Sequence, residues 1–325
     1  MTPRSHGLAL GIVVVALAAL ALGYHNAFVL NLVFVGLIYA VLGQSWNWIS
    51  GYAGQISFGH ALFFGCGAYA SALFGVHHGS PWLALPAGAL VAAALALAVG
   101  FPCFGLRGHY FSIATIAVAA IAEIAVNNIG ALGKANGFEM PILAPSLASL
   151  QFDDKGQYVL MALVLFAIAQ IGTITLERSR LGYYLRAIRA NQEAAASVGV
   201  DARAAKLATF AAGAALAALA GSLYAQQTLY VGPEDTLALP ISIAIALVGV
   251  VGGLSTVWGP ALGALVYVAL ARYGGAVLGG QGHGLDLLLY GGLILVIVSW
   301  RPDGLAGIGG SIRRFVRRRS AETPA

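Results

Sequence analysis

Ten long apolar runs divide this chain, at about 7–23, 27–43, 57–76, 82–102, 110–128, 157–176, 207–226, 239–255, 258–275 and 285–300. A run of ~20 apolar residues, rising ~1.5 Å per residue, crosses the ~30 Å hydrocarbon core of a bilayer as a helix. In lipid every backbone N–H and C=O must be paired within the protein, which leaves helices or a closed barrel, and runs of this length select helices. The charge count agrees. Only 9% of the 325 residues are charged, against roughly 25% in an average soluble protein, and the mean hydropathy is +0.85. Seventeen Lys and Arg with 12 Asp and Glu cannot give a globule of this size a charged skin. A soluble enzyme, a DNA-binding domain and a disordered tail are excluded. The expectation is an all-α polytopic integral membrane protein of about ten transmembrane helices, a single transmembrane domain over 1–325, with the lipid bilayer around it.

The net charge of +5 points to no nucleic acid, because the basic residues gather at the ends of apolar runs, in 178–206 and 301–319. With the N-terminus in the cytoplasm and ten spans threaded, fourteen of the 17 Lys and Arg fall on the cytoplasmic side. They are Arg4, Arg107, the group from Arg178 to Lys206 and the group from Arg301 to Arg319. Lys134 and Lys155 fall outside, and Arg272 lies near the outer end of a span. This positive-inside bias predicts a multi-pass protein with both termini cytoplasmic. The first run also admits a signal-peptide reading, with Arg4 as n-region and Ala19-Leu20-Ala21 as cleavage site. The next run starts at once after Tyr24-His25-Asn26, so a tight turn between two retained helices fits better. Two connections are long: 129–156 outside and 177–206 inside. The basic tail 301–325 opens with Arg301-Pro302-Asp303-Gly304, a turn signal that ends the last helix, and then lies against anionic headgroups.

The inside connection 177–206 predicts structure of its own. Leu181, Leu185 and Ile188 recur at i, i+4, i+7, with Arg178, Arg186 and Arg189 around them, as on an amphipathic helix. Asn191 is a good N-cap, Glu193 puts a negative charge in the following first turn, and Gly199 is placed to end a second short helix. Alanines 194–196 on an exposed helix let another surface approach closely. Pattern alone leaves an ordinary cytoplasmic hairpin equally open. There is also a faint internal repeat: Gly51-x-x-Gly54-x-Ile56-Ser57 before Gly59-x-Ala61-Leu62, and Gly249-x-x-Gly252-x-Leu254-Ser255 before Gly259-x-Ala261-Leu262. A parallel structural repeat and chance likeness of Gly/Ala-rich helices both account for it.

Glu193-Ala194-Ala195, three residues and Gly199 resemble the EAA-x-x-x-G coupling motif of ABC-importer permeases, without the later Leu-Pro, since Val200-Asp201-Ala202 follows. Ser50-Gly51-Tyr52-Ala53-Gly54-Gln55-Ile56-Ser57-Phe58-Gly59-His60-Ala61 resembles the signature of branched-chain amino-acid ABC permeases. So do Leu106-Arg107-Gly108-His109-Tyr110-Phe111, Ala122-Glu123-Ile124, Ala220-Gly221-Ser222-Leu223-Tyr224-Ala225, Trp258-Gly259-Pro260 and Arg301-Pro302-Asp303-Gly304-Leu305. These run in family order from about 30 to 310 and look like the M-type membrane subunit; the family's Gly-Gly after the fifth span departs, as Ala131 to Gly137. The resemblance implies an importer permease working by alternating access. Its implied partners are a second, H-type permease subunit, two ATP-binding cassette subunits and a periplasmic or extracellular substrate-binding protein. It implies that Glu193, Ala194, Ala195 and Gly199 form the ATPase-coupling loop, and that the substrates are Leu, Ile, Val or related small amino acids and amides. The chain is then not an enzyme and holds no cofactor, ATP being bound by partner subunits.

The remaining signals fit. No Gly-x-x-x-x-Gly-Lys-Ser/Thr loop is present, and Gly65-x-Gly67-x-x-Ala70 has no preceding strand to make a dinucleotide site. Cys66 and Cys103 read as small buried hydrophobes, and the seven histidines have no ligand spacing, so no metal site is expected. Glu123 is the one acidic residue deep in a span, and so faces protein or water. It serves an interhelical hydrogen bond, the lining of a path, or proton coupling. Gln55, Ser57 and His60 open a Gly-rich segment that suits either close helix packing or a broken helix able to bind a zwitterion. With Glu123 they are the candidate path or packing residues. The alternative function, an ion-coupled secondary transporter of small zwitterions, requires paired intramembrane carboxylates, which the chain lacks.

Overall fold

The computed structural model describes residues 3–24, 26–106 and 108–277, with 292 and 304–306 beyond them. The helices are α1 (Pro3–Gly23), α2 (Ala27–Trp46, running on in a wider turn over Asn47–Tyr52), α3 (His60–Val76), α4 (Pro81–Cys103) and α5 (His109–Asn128). Then come α6 (Lys155–Arg178), α7 (Arg180–Ala190), α8 (Gln192–Ser197), α9 (Ala202–Thr228), α10 (Pro233–Thr236), α11 (Leu239–Gly252) and α12 (Gly259–Val277). Among the described residues seven helices are long and apolar enough to cross a membrane: α1, extended α2, α4, α5, α6, α9 and α10 with α11. The shorter apolar helices α3 and α12 add to them. The expected count of about ten is therefore not reached here, and the tenth expected run, 285–300, lies outside the described residues, as does the basic tail after 306.

Two expected runs start or stop elsewhere. The run expected from 57 becomes helical only at His60, and that expected to 255 ends at Gly252. The residues between are two interruptions, 53–59 and 253–258, which fall on the two halves of the faint sequence repeat.

Local chemistry explains the other starts. Asn26, Asp154, Ser179, Asn191 and Asp201 each turn a side-chain oxygen onto the free N–H groups of the helix that follows. Pro81 opens α4, where its missing N–H costs nothing.

Lipid gives helices no hydrophobic reason to associate, so small residues that admit close backbone contact decide the packing. On α4 the buried positions are Ala84, Gly88, Ala92, Ala96 and Gly100, a stripe at spacing four. It meets α3 and α9, and a Cβ at Gly67 would run into the Ala218 carbonyl while one at Gly221 would run into that of Phe64. Ser222 Oγ donates to the Gly67 carbonyl at 2.9 Å across the same seam. Gly249 on α11 admits the wholly buried ring of Trp46. α2 is the central helix, packed on α6, α9, α11 and α12. At the end of the bundle away from α7 and α8, the 129–156 connection is more ordered than expected. Its Phe138–Glu139 (β1) pairs antiparallel with Tyr230–Val231 (β2), Phe138 opposite Val231 and Glu139 opposite Tyr230.

Gly67→Ala is expected to cost roughly 1–3 kcal/mol, the usual penalty of overpacking. Gly36→Ala, where nothing lies within 4 Å of the added carbon, should leave stability unchanged or slightly raised. Thermal unfolding of the purified chain in detergent distinguishes the two; equal melting shifts would refute the close α3–α9 seam.

Candidate functional site

α7 and α8 sit together at one end of the bundle, here called the basic end. Ser179 starts α7 by accepting from the Gly182 N–H at 3.1 Å. α7 is amphipathic as its spacing predicts: Leu185 and Ile188 are buried, whereas Tyr183, Tyr184 and Ala187 are exposed. Asn191 then caps α8, accepting from Glu193 and Ala194 N–H groups, each at 3.0 Å. Gly199, at φ +87°, closes α8 in the left-handed conformation. Gly199 N–H donates to the Ala196 carbonyl at 3.0 Å and Val200 N–H to that of Ala195 at 3.1 Å, the paired bonds of a Schellman end. Lys206 is buried under this turn and donates to Gln192 Oε1 at 2.7 Å, tying α8 to α9.

The motif residues do not all face the same way. Glu193 and Ala194 are exposed, but Ala195 is 4% exposed and packs inward. Ala196 and Val198 complete the outward face, and Val198 is 78% exposed. An apolar side chain so open to water on a helix standing off the bundle was not singled out from the sequence; its signal is the lone valine after a run of small residues.

The two interruptions lie side by side beneath α7. Ser255 N–H donates to Asn47 Oδ1 at 2.9 Å, Asn47 Nδ2 donates to the Thr256 carbonyl at 3.1 Å, and Gln44 Nε2 donates to that of Val257 at 2.6 Å. Gln44 also donates to Gln170 Oε1 of α6. Arg189, from the last turn of α7, donates to the Gly51 carbonyl at 2.7 Å and to Ser255 Oγ. Ser255 Oγ in turn donates to the same Gly51 carbonyl at 2.7 Å. The Arg189 stem crosses Gly54 (φ +73°), where a Cβ would stand 2.9 Å from Arg189 Cγ. Neither Gln44 nor Asn47 was marked as functional from the sequence, although the pair stands at i, i+3 just past an apolar run and so shares one helical face.

The expected path residues separate. Gln55 lines a cavity of about 280 Å³ with Gly108, Asn191, Gln192 and Glu193, so it joins the coupling-motif residues. Ser57 is wholly buried and its Oγ accepts from Gly59 N–H at 3.3 Å. His60 is wholly buried between the rings of Phe63 and Phe210. Glu123 is half-buried on α5, 14 residues beyond His109 and so roughly 21 Å along the helix. Among the described residues its carboxylate makes no hydrogen bond. Of the glycines, Gly51 lies in the last turn of extended α2, Gly54 and Gly59 belong to the interruption, and Gly65 and Gly67 to helix packing. Arg107 lies outside the described residues. A second cavity, of about 490 Å³ between α1, α2, α6 and α12, has apolar walls such as Leu17, Val33, Leu37 and Phe166. It offers nothing to a charged group. No group of His, Cys, Asp and Glu able to hold a metal occurs among the described residues.

These features define a multi-pass helical membrane protein with a small helical platform hydrogen-bonded to two interrupted spans. Comparison with known proteins narrows the class. Residues 28–298 match the family model of the branched-chain amino acid transport system permease component. The chain is 30% identical over 83% of its length to the high-affinity branched-chain amino acid transport system permease protein LivM of Escherichia coli K12, covering 68% of that protein. It is 26% identical to BraD of Pseudomonas aeruginosa, over 84% of this chain and 92% of the relative. It is 24% identical to LivH of Salmonella typhimurium, over 85% and 94%. No solved structure matches. The chain belongs to the branched-chain amino acid transport permease family.

Replacing Asn191 by Ala removes the cap of α8 and should cost about 1 kcal/mol locally. Hydrogen exchange of the Glu193 and Ala194 amides is expected to rise about fivefold, with α9 unchanged; unaltered exchange would show that α8 does not depend on its cap.

Proposed function

We propose that this chain is the M-type permease subunit of an ATP-driven importer for Leu, Ile and Val, or for closely related small amino acids and amides. It works with an H-type permease, two ATP-binding cassette subunits and an external substrate-binding protein. In this reading the basic end faces the cytoplasm of a bacterial cell and both termini lie there, as the distribution of Lys and Arg requires. The helix pair α7–α8 is the dock for an ATP-binding subunit. ATP-driven closure of the ATPase pair moves the dock, and the permeases alternate between outward and inward openings.

One observation carries the proposal: the segment with the EAA-x-x-x-G pattern is a built platform. It is capped at both ends, presents Glu193, Ala194, Ala196 and Val198 outward, and is hydrogen-bonded through Arg189 to Gly51, at the edge of the first interruption, and to Ser255 in the second. A plain hairpin between spans needs no such bond. The relatives support the substrate class, since LivM and BraD are branched-chain amino acid transport system permease proteins. Among the described residues His60 lies against the rings of Phe63 and Phe210 rather than a carboxylate, which does not favour an ion-coupled carrier.

Val198→Asp places a charge at the centre of the proposed contact without touching the bundle. Central contact residues contribute about 2 kcal/mol or more, so retention of the ATP-binding subunit on affinity purification should fall at least ~30-fold. Gly199→Ala, forced into a left-handed backbone, should weaken retention to a lesser degree. A chain that keeps its ATP-binding subunit with either substitution is not docked through α8.

A further inference from the structure

We infer that Arg189 is the residue through which movement of the α7–α8 platform reaches both interrupted spans, so that the two repeats are displaced together. The inference rests on the docking role proposed above and goes beyond it, because it assigns the link between dock and membrane helices to one side chain.

Four observations carry it. Arg189 is in the last turn of α7, two residues before the Asn191 cap, so it belongs to the rigid corner of the platform. Its guanidinium donates to the Gly51 carbonyl at 2.7 Å, in the last turn of extended α2 that leads into the first interruption, and to Ser255 Oγ in the second interruption. Ser255 closes the triangle by donating to the Gly51 carbonyl at 2.7 Å. Gly54, at φ +73°, leaves room for the Arg189 stem, whose Cγ would be 2.9 Å from any Cβ there. Both bonds leave one guanidinium nitrogen, Nη1, whose two protons are held in the guanidinium plane and so point at two acceptors in fixed directions; an ammonium turns its three protons about the end of a flexible stem and fixes no such directions.

The targets matter as much as the bonds. Residues 53–59 and 253–258 join α2 to α3 and α11 to α12 without a continuous helical ladder. Bending is least costly where that ladder is already open, so these are the points at which a lateral pull turns one helix against the next. A force on α7 is therefore delivered where the spans yield. The other side-chain bonds between platform and bundle, Lys206 to Gln192 and Arg186 to the Glu177 carbonyl, reach the unbroken helices α9 and α6 and would shift them only as bodies.

The test uses the whole importer in proteoliposomes, with radiolabelled leucine as the probe and ATP hydrolysis measured on the same samples. Arg189→Ala is expected to leave the ATP-binding subunits bound and to lower leucine imported per ATP about tenfold, within the range by which two sites are ordinarily coupled. Arg189→Lys should restore only part of that ratio. A simple loss of folded protein would lower import and hydrolysis together and leave the ratio in place. Hydrogen exchange on the same Arg189→Ala complex should quicken in both 49–58 and 252–258. An unchanged ratio, full rescue by Lys, or quickened exchange in one interruption alone or in neither would overturn the inference. Failure of the docking reading shows separately, as retention of the ATP-binding subunit by Val198→Asp.

Discussion

Backbone hydrogen bonding at the two interrupted helices is the constraint on which the rest of this structure depends. An interruption inside an apolar bundle exposes N–H and C=O groups where water is scarce, and each must find a partner in the protein. The first interruption is served from three sides. Ser112 and Thr115 of α5 bond to Ile56 and Phe58, Ser242 of α11 to Ala61, and Trp46 of α2 to the Ser57 carbonyl. The second is served mainly by α2, through Gln44 and Asn47, and by the returning chain at Leu305, whose N–H donates to the Val251 carbonyl at 2.9 Å. Several of the buried polar residues, among them Gln44, Asn47, Thr115 and Ser242, thus serve the places where helices stop.

The close packing of α3, α4 and α9 is the counterpart. Helices that are interrupted supply fewer backbone bonds of their own, so their position must be held by neighbours. Gly67, Gly88 and Gly221 bring three backbones near enough for Ser222 to bond directly to the carbonyl of Gly67. The wholly buried Trp46 ring, seated on Gly249, fixes α2 against α11. Rigid seams on either side leave the interruptions as the compliant parts.

Much of this was legible in the sequence. Apolar run length located nine helices among the described residues, because a bilayer imposes one length on every span. The caps at Asn191 and Gly199 were legible because a short polar side chain before a helix and a glycine after it act locally. The interruptions were legible only as two possibilities, packing or a broken helix. Glycine permits both, and the choice falls to partners distant in sequence: 204 residues separate Ser255 from Gly51. The same distance hid Gln44 and Asn47, whose polarity becomes meaningful only once Thr256 and Val257 lie opposite. The burial of Ala195 was hidden for a related reason, since a six-residue helix shows too little periodicity to reveal which alanine faces in.

The unequal service of the two interruptions gives the repeat a direction. α2 holds the second interruption by three side-chain bonds, so α2, α11 and α12 are joined near the basic end whatever α7 does. Arg189 reaches the first interruption by bonding the Gly51 carbonyl at the end of extended α2 and laying its stem against Gly54, while the side-chain bonds of 53–59 lead to α5 and α2. A displacement of α7 therefore loads the α2–α3 junction directly and the α11–α12 junction through Ser255, which shares the Gly51 carbonyl. Both junctions receive the load with the same sign, because one guanidinium holds both. This explains why an arginine stands there in a chain so short of charge. An amide NH2 also carries two planar donors, as Gln44 Nε2 shows, but a guanidinium adds a charge that strengthens both bonds, reaches farther on its longer stem and stays protonated at every physiological pH.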